Sequence, residues 1–149
     1  MKAFRFSLQR VFNYRETVEE ALLGELAEIR NAYDREMNRL TEIVNTRQLF
    51  SDAMKSELAC GDPEYIRRAY HFLEDLSRQV HTQETAVKKL AQKKETKTAQ
   101  VVEASKDRKV LEKLRDYKAQ EHTQQSLREE QGFLDDLAGI GHQRKRQAS

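Results

Sequence analysis

A seven-residue hydrophobic repeat runs on both sides of one break, Cys60-Gly61-Asp62-Pro63, and this arrangement limits what the chain can fold into. Pro63 is the only proline in 149 residues. Gly61 is typical of a helix end, Asp62 of a helix N-cap, and Pro63 of the first helical position, where its missing N–H costs nothing. Two long amphipathic helices joined by so short a connection fold back against each other. The sequence therefore predicts an all-α protein, a long antiparallel two-helix coiled-coil hairpin.

The first helix is predicted from about residue 7, with Ser7 as its N-cap, to about residue 60. A heptad frame with Leu26 at position a gives eight apolar residues in ten core positions, the exceptions being Glu36 and Arg47. The a positions are Leu26, Tyr33, Leu40, Arg47 and Met54, and the d positions are Leu22, Ile29, Glu36, Ile43 and Phe50. A period of about 3.5 residues predicts a left-handed supercoil.

The second helix is predicted from about residue 62 to about residue 138, after the hinge at 60–63. With Ile66 at position a, ten of its fourteen core positions are apolar. The a positions are Ile66, Leu73, Val80, Val87, Lys94, Val101 and Arg108, and the d positions are Ala69, Leu76, Gln83, Leu90, Lys97, Ala104 and Leu111. Gly139 and Gly141 are predicted to end the helix and to leave residues 142–149 as a basic tail. The whole chain, 1–149, is predicted to be a single domain.

The second helix is longer than the first, so it is predicted to overhang at the C-terminus. A hairpin that turns near residue 61 pairs residues whose numbers sum to about 123, which leaves residues beyond 122 without an intramolecular partner. That part of the chain still carries apolar side chains. They are Leu127, Phe133, Leu134, Leu137 and Ile140. An unpaired apolar helix face predicts a binding surface, although fraying or dimerisation would also account for it.

Composition excludes several classes of protein. Only 38% of residues are hydrophobic and 35% are charged, which suits a two-helix interface better than a thick core. No apolar run approaches the roughly 20 residues that span a bilayer, and no apolar segment typical of a signal peptide follows the N-terminus. The expected location is the cytoplasm, with no direct insertion into a membrane.

The residue pattern also argues against catalysis and metal binding. The five glycines are scattered and form no phosphate-binding loop. The four histidines have no i,i+4 spacing and no cysteine companion, unlike the ligands of a zinc site. A two-helix hairpin has no cleft that would exclude water or shift a pKa. We expect no enzyme activity, no metal and no cofactor.

The basic stretch Lys88–Lys97 allows a nucleic-acid-binding alternative. It contains no interleaved aromatic residues, however, and Lys94 and Lys97 occupy core heptad positions with Glu25 and Glu28 nearby. Pairing of these lysines across the helix interface is therefore favoured. The net charge of +2 gives no independent reason to expect a nucleic acid.

The segment after the break contains more apolar residues than one interface needs. Tyr65, Tyr70 and Phe72 fall outside the a and d positions. Exposed aromatic side chains near the turn are candidate anchors for a partner. Packing against Phe50 and Met54 is an equally acceptable interpretation.

The chain opens with Phe4-x-Phe6-x-Leu8-Gln9-Arg10-Val11, followed by Tyr14-Arg15-Glu16, and it carries Phe72-Leu73-x-x-Leu76 after the break near residue 60. In these features the chain resembles the flagellar export protein FliJ family. The resemblance covers essentially the whole chain, and the N-terminal run is its most specific element.

The resemblance implies a non-catalytic component of the flagellar type III protein export apparatus. Members of this family are similar to the central stalk of rotary ATPases. They are expected to bind and activate the hexameric export ATPase, to contact the cytoplasmic domain of the export gate protein FlhA, and to handle export chaperones. Recruitment would be peripheral, at the cytoplasmic face of the inner membrane. The equivalent stalk protein of an injectisome and a structural homodimerising coiled coil remain alternatives.

The resemblance also assigns candidate contact residues. Those expected at the export gate are Phe72, Leu76, Gln79 and Gln83. Those expected at the ATPase ring are Phe4, Phe6, Leu8, Val11, Phe12, Leu127, Phe133, Leu134 and Leu137.

Overall fold

A computed structural model describes residues 2–58 and 61–149, and within them the chain forms two helices and no strand. Helix α1 spans Gln9–Glu57, with 49 residues, and helix α2 spans Pro63–Gln147, with 85 residues. The all-α prediction and the helical hairpin are confirmed. Cys60, which belongs to the predicted hinge and was expected to end the first helix, lies outside the described residues.

Helix α1 begins two residues later than Ser7 predicted. The amide of Phe12 donates to the carbonyl of Leu8 at 2.9 Å, so Leu8 accepts the first helical hydrogen bond. The amide of Gln9 donates to the carbonyl of Phe6 at 3.1 Å and closes a turn just before it. Because this turn already directs the chain into the helix, Ser7 lies in the turn and is not the N-cap.

The start of α2 follows the prediction. The carbonyl of Asp62 accepts from the amide of Ile66 at 3.1 Å, and its Oδ1 accepts from the amide of Glu64 at 3.4 Å. Asp62 is thus the N-cap and Pro63 the first helical residue. Gly61 lies four residues after Glu57, the last residue of α1, so it does not directly follow the helix end, where glycine is common.

A hydrogen bond joins the two helices beside the turn. The Tyr65 hydroxyl donates to Glu57 Oε2 at 2.7 Å. Donation to this carboxylate, its negative charge and some loss of solvation all raise the pKa of Tyr65, because each disfavours the phenolate. This contact fixes the end of α1 against the first turn of α2.

The heptad register predicted for both helices is confirmed. None of the 24 assigned a and d residues is exposed, including the polar ones. The buried apolar side chains are Phe12, Leu26, Met54, Ala69, Leu76, Val80, Val87 and Ala104. Contacts between Phe50 and Phe72 and between Glu25 and Lys97 join residues whose numbers sum to 122, close to the predicted value.

Helix α2 continues past Gly139 and Gly141 to Gln147, so the predicted end near residue 138 is wrong. Each glycine costs a helix only about 1 kcal/mol relative to alanine. Arg144, Lys145 and Arg146 lie in the last turn, where positive charge is favourable near the carbonyl end of the helix dipole. The expected basic tail is therefore mostly helical, and only Ala148 and Ser149 follow the helix.

The chain divides into two compact units. Unit 1 comprises Met1–Glu19 and Glu103–Ser149, and unit 2 comprises Glu20–Val102. Unit 2 contains the turn between the helices. Unit 1 contains the beginning of α1 and the last part of α2. The single-domain prediction stays a prediction.

Candidate functional site: two partner-binding surfaces

The first candidate surface lies in unit 2, near the turn, and is formed by Tyr65, Phe72 and Gln79, which share the g flank of α2. All three side chains are exposed. Phe72 is 44% exposed, and its ring packs edge-on against Phe50 with centroids 4.7 Å apart. Phe72 therefore makes an internal contact and still presents apolar area to solvent. We call these three residues the turn surface.

The four predicted gate residues do not share one environment. Phe72 and Gln79 lie on the surface, whereas Leu76 and Gln83 are only 6% and 8% exposed. Leu76 occupies a d position and packs inside the helix interface. Only Phe72 and Gln79 are placed to touch a partner without a change in the hairpin.

Gln83 has a specific internal partner. Its Nε2 donates to the main-chain carbonyl of Glu36 at 2.9 Å and also to the Glu36 carboxylate. Both residues are polar residues at d positions, and they face each other across the helix interface. The amide thereby satisfies a half-buried carboxylate that would otherwise lower the stability of the hairpin.

The lysines on the helix interface behave as the sequence predicted. Lys97 Nζ lies 2.6 Å from Glu25 Oε2, and Lys94 Nζ lies 4.7 Å from the centroid of the Tyr33 ring. These contacts explain why two charged residues occupy core heptad positions, since each ammonium group reaches a partner while its stem covers apolar surface.

The second candidate surface lies in unit 1, where the N-terminal segment, residues 2–12, packs on α2. Phe12 is only 4% exposed, and the Arg115 guanidinium lies 4.8 Å from its ring centroid. The Phe4 ring lies 5.7 Å from the His122 ring. Phe4 and Phe6 are half-buried, whereas Leu8 and Val11 are exposed. Of these five predicted ATPase contacts, Phe12 is the one that serves as core.

A surface groove of about 410 Å³ follows this segment. Its walls include Phe4, Phe6 and Leu8 from the N-terminal segment and Leu114 and His122 from α2. The groove is partly apolar and opens to solvent, so it could accept an apolar side chain of another protein.

Ion pairs stabilise the start of α1 against α2. Arg15 lies 3.3 Å from Asp107, and Arg108 contacts Glu19 and, at 2.9 Å, Glu112. The hydrogen bond from Arg108 to Glu19 is the main cause of the raised pKa of Arg108. Arg108 occupies an a position at the helix interface, and its charge is tolerated there because these two carboxylates pair with it.

The last part of α2, residues 127–147, is helical and exposed along its whole length, and we call it the overhang. Its apolar side chains are between 49% and 64% exposed. They are Leu127, Phe133, Leu134, Leu137 and Ile140. The overhang begins slightly later than predicted because the N-terminal segment reaches further along α2, to the groove that Lys2 forms with Ser126 and Glu129.

Two other kinds of site, a membrane span and a metal centre, are not found among the described residues. Neither helix contains a stretch long and apolar enough to cross a membrane. Within residues 2–58 and 61–149, no group of three or more His, Cys, Asp or Glu side chains is placed to hold a metal ion.

Comparison with known families decides the relationship. The family model described as Flagellar FliJ protein matches residues 4–147. The chain belongs to the FliJ family. The match covers the N-terminal segment from Phe4 onward, both helices and the overhang, so the resemblance seen in the sequence is confirmed. Comparison with curated proteins and with solved structures gave no match.

Membership of the FliJ family establishes the general role. Proteins of the FliJ family are non-catalytic components of the flagellar protein export apparatus. As a member of this family, the chain is associated with that apparatus. The two-helix structure is compatible with a coiled coil.

The pairing of Gln83 with Glu36 escaped the sequence analysis of this FliJ chain, although a signal was present. Both residues are polar at d positions, and the predicted antiparallel register brings them close together. The network of Glu19, Arg108 and Glu112 was also missed. Its signal was present too, because the frame with Leu26 at position a, continued back by seven residues, places Glu19 at an a position and Arg108 at another.

Proposed function

We propose that this chain is the stalk and coupling component of the flagellar type III export ATPase. The overhang is the observation that carries this proposal. A helix that continues beyond its intramolecular partner and keeps an exposed apolar face is suited to insertion into another protein. Membership of the FliJ family supports an export-apparatus protein as that partner.

The terminal end of the chain is the part that we assign to the hexameric ATPase ring. The overhang supplies Leu127, Phe133, Leu134 and Leu137, and the N-terminal segment adds the exposed Leu8 and Val11. Phe4 and Phe6 line the adjacent groove. Phe12 stabilises this end from inside and is not itself a contact.

The stalk acts without chemistry of its own. A single helical element inside a ring meets the subunits unequally, so it binds some nucleotide states of those subunits better than others. Such differential affinity shifts the populations of the states and thereby changes the rate of ATP turnover. The proposal therefore requires no catalytic residue in this chain.

The turn surface is the part that we assign to the export gate. Phe72 offers a partly exposed ring held in position by Phe50, and rigid aromatic anchors of this kind dominate many interfaces. Gln79 lies on the same helix two turns further on. Leu76 and Gln83 support this surface from the helix interface. Binding to the cytoplasmic domain of FlhA would recruit the chain peripherally to the inner membrane, with export chaperones as further partners.

Two full-length variants test the assignment. Leu134→Gln/Leu137→Gln removes apolar area from the overhang and is expected to reduce stimulation of the export ATPase several-fold, with gate binding unchanged. Phe72→Ala is expected to weaken binding to the cytoplasmic domain of FlhA by about tenfold, a typical effect for a lost anchor, with ATPase stimulation unchanged.

Matched controls separate these effects from general damage. Leu49 is 71% exposed in unit 2, and Tyr70 is 51% exposed on the flank of α2 opposite Phe72. Leu49→Gln should leave ATPase stimulation unchanged, and Tyr70→Ala should affect gate binding less than Phe72→Ala. Absence of stimulation by the wild-type chain, with an active ATPase, would refute the stalk assignment.

A further inference from the structure

The overhang has a one-sided apolar face. At about 100° per residue, its five large apolar side chains fall within about 140° of the helix circumference. They are at least 49% exposed in the free chain. Such a face is usually covered by a partner, because exposed contiguous apolar area favours association.

Charges along the overhang are separated by sign. Its first half carries Glu129, Glu130, Asp135 and Asp136, with Arg128 as the one basic residue, and its last turns carry Arg144, Lys145 and Arg146. Glu129 and Asp135 accept hydrogen bonds from neighbouring glutamines, at 3.3 Å and 3.1 Å. Within the described part of the chain, none of the acidic or basic residues of the overhang forms an ion pair.

We propose that the apolar face of the overhang binds the same face of a second copy of this chain, in antiparallel orientation. Antiparallel pairing centred near Leu137 places Leu134 close to Leu137 and Ile140 of the second copy. It also places Glu130 near Arg144 of the second copy, because both lie on the apolar face, seven residues before and after Leu137. The two-fold symmetry repeats this pair. Parallel pairing would bring acidic residues against acidic ones and basic against basic.

The charge arrangement also decides against an anionic lipid surface as the occupant. Residues 127–147 contain four acidic and four basic residues. An interfacial helix that binds anionic lipids carries an excess of Lys and Arg. The overhang has equal numbers of acidic and basic residues at its two ends, and this arrangement instead complements a second copy of the overhang in antiparallel orientation.

The same face is assigned to the ATPase ring under the proposed function, so the second copy and the ring are alternative occupants. The self-association argument depends on the charges and apolar side chains of the overhang and not on the proposed function. Either can therefore fail without the other. Self-association would cover the apolar face while no ring is bound.

Charge reversal in the full-length chain tests the proposal by sedimentation equilibrium over a concentration series. The wild type is expected to show a monomer–dimer equilibrium. Glu130→Lys turns both attractive pairs into repulsive ones and should weaken the dimer several-fold. Arg144→Glu should do the same.

Combining the two changes gives the decisive readout. The double variant Glu130→Lys/Arg144→Glu should dimerise again, because both opposing pairs regain opposite charges. An equimolar mixture of the two single variants should also dimerise. The control, Lys88→Glu, lowers the net charge by two, as Arg144→Glu does, at an exposed position of unit 2 and should leave the dimer unchanged. Circular dichroism should show equal helicity for every variant.

Several outcomes would overturn the proposal. A wild type that stays monomeric over the whole series would do so, including a monomer that binds vesicles of phosphatidylcholine and phosphatidylglycerol instead. Dimers that persist undiminished in both single variants would place self-association elsewhere. Failure of the double variant Glu130→Lys/Arg144→Glu to dimerise would exclude the antiparallel arrangement.

Discussion

Gln83 and Glu36 meet within the helix interface, where an amide satisfies a carboxylate. Gln83→Ala removes the donor and leaves the half-buried Glu36 carboxylate without it. We expect the free energy of unfolding to fall by about 1–3 kcal/mol, since an unsatisfied partner costs more than a lost hydrogen bond contributes. Urea-induced unfolding followed by circular dichroism measures the change.

Two further variants show whether the pair acts by hydrogen bonding. Gln79→Ala alters an exposed glutamine on the same helix and should change stability by less than about 0.5 kcal/mol. Replacing both Gln83 and Glu36 by Leu should be neutral or stabilising, because apolar packing often replaces a satisfied polar pair without loss. Equal effects of Gln83→Ala and Gln79→Ala would contradict this account.

Residue-level predictions from the sequence succeeded where the heptad position decided the environment. Lys97 was expected to pair with an acidic residue across the interface, and it contacts Glu25. Leu76 shows the opposite case. The family resemblance suggested a partner contact, yet its d position already implied burial, and the side chain is buried. Heptad position was the better guide to exposure in both cases.

At the scale of the elements, the hydrophobic repeat predicted both helices and their register, because packing of a and d residues supplies most of the stability of such helices. The helix ends were less predictable. Ser7 did not cap α1, and two glycines did not end α2. A cap or a glycine changes the free energy of helix formation by only about 1 kcal/mol. The contributions of neighbouring residues therefore decide where the helix ends.

The glycines of the overhang lead to a prediction about α2. Gly139 and Gly141 are exposed, and an added Cβ would meet nothing within 4 Å. Gly139→Ala/Gly141→Ala should stabilise the helix locally by about 1 kcal/mol per residue. Hydrogen exchange of the amides near the C-terminus should become slower, while the midpoint of hairpin unfolding should hardly change.

Gly24 is the matched control for this prediction. It is also exposed and also has nothing within 4 Å of an added Cβ, but it lies within the paired part of α1. Gly24→Ala should raise the free energy of unfolding of the hairpin and leave exchange near the C-terminus unchanged. If Gly139→Ala/Gly141→Ala instead left hydrogen exchange near the C-terminus unchanged, helix propensity would not be what limits the local stability of the overhang.

At the scale of the whole molecule, the two proposed surfaces share no residue. The turn surface belongs to unit 2, and the overhang with the N-terminal segment belongs to unit 1. Occupation of one surface should therefore leave the affinity of the other unchanged to within about twofold, in the absence of coupling between sites. The chain should bind the export ATPase and the cytoplasmic domain of FlhA together.

A bridging measurement checks this prediction. The cytoplasmic domain of FlhA is immobilised, and retention of the ATPase is measured with and without the chain. The wild-type chain should retain the ATPase. Phe72→Ala should reduce retention because the chain binds FlhA less tightly, and Leu134→Gln/Leu137→Gln should reduce it because the chain binds the ATPase less tightly. Phe72→Ala should still stimulate ATP turnover in solution. If the gate domain instead competed with the ATPase for the wild-type chain, the two surfaces would be coupled or overlapping, and the assignment of one partner to each unit would be wrong.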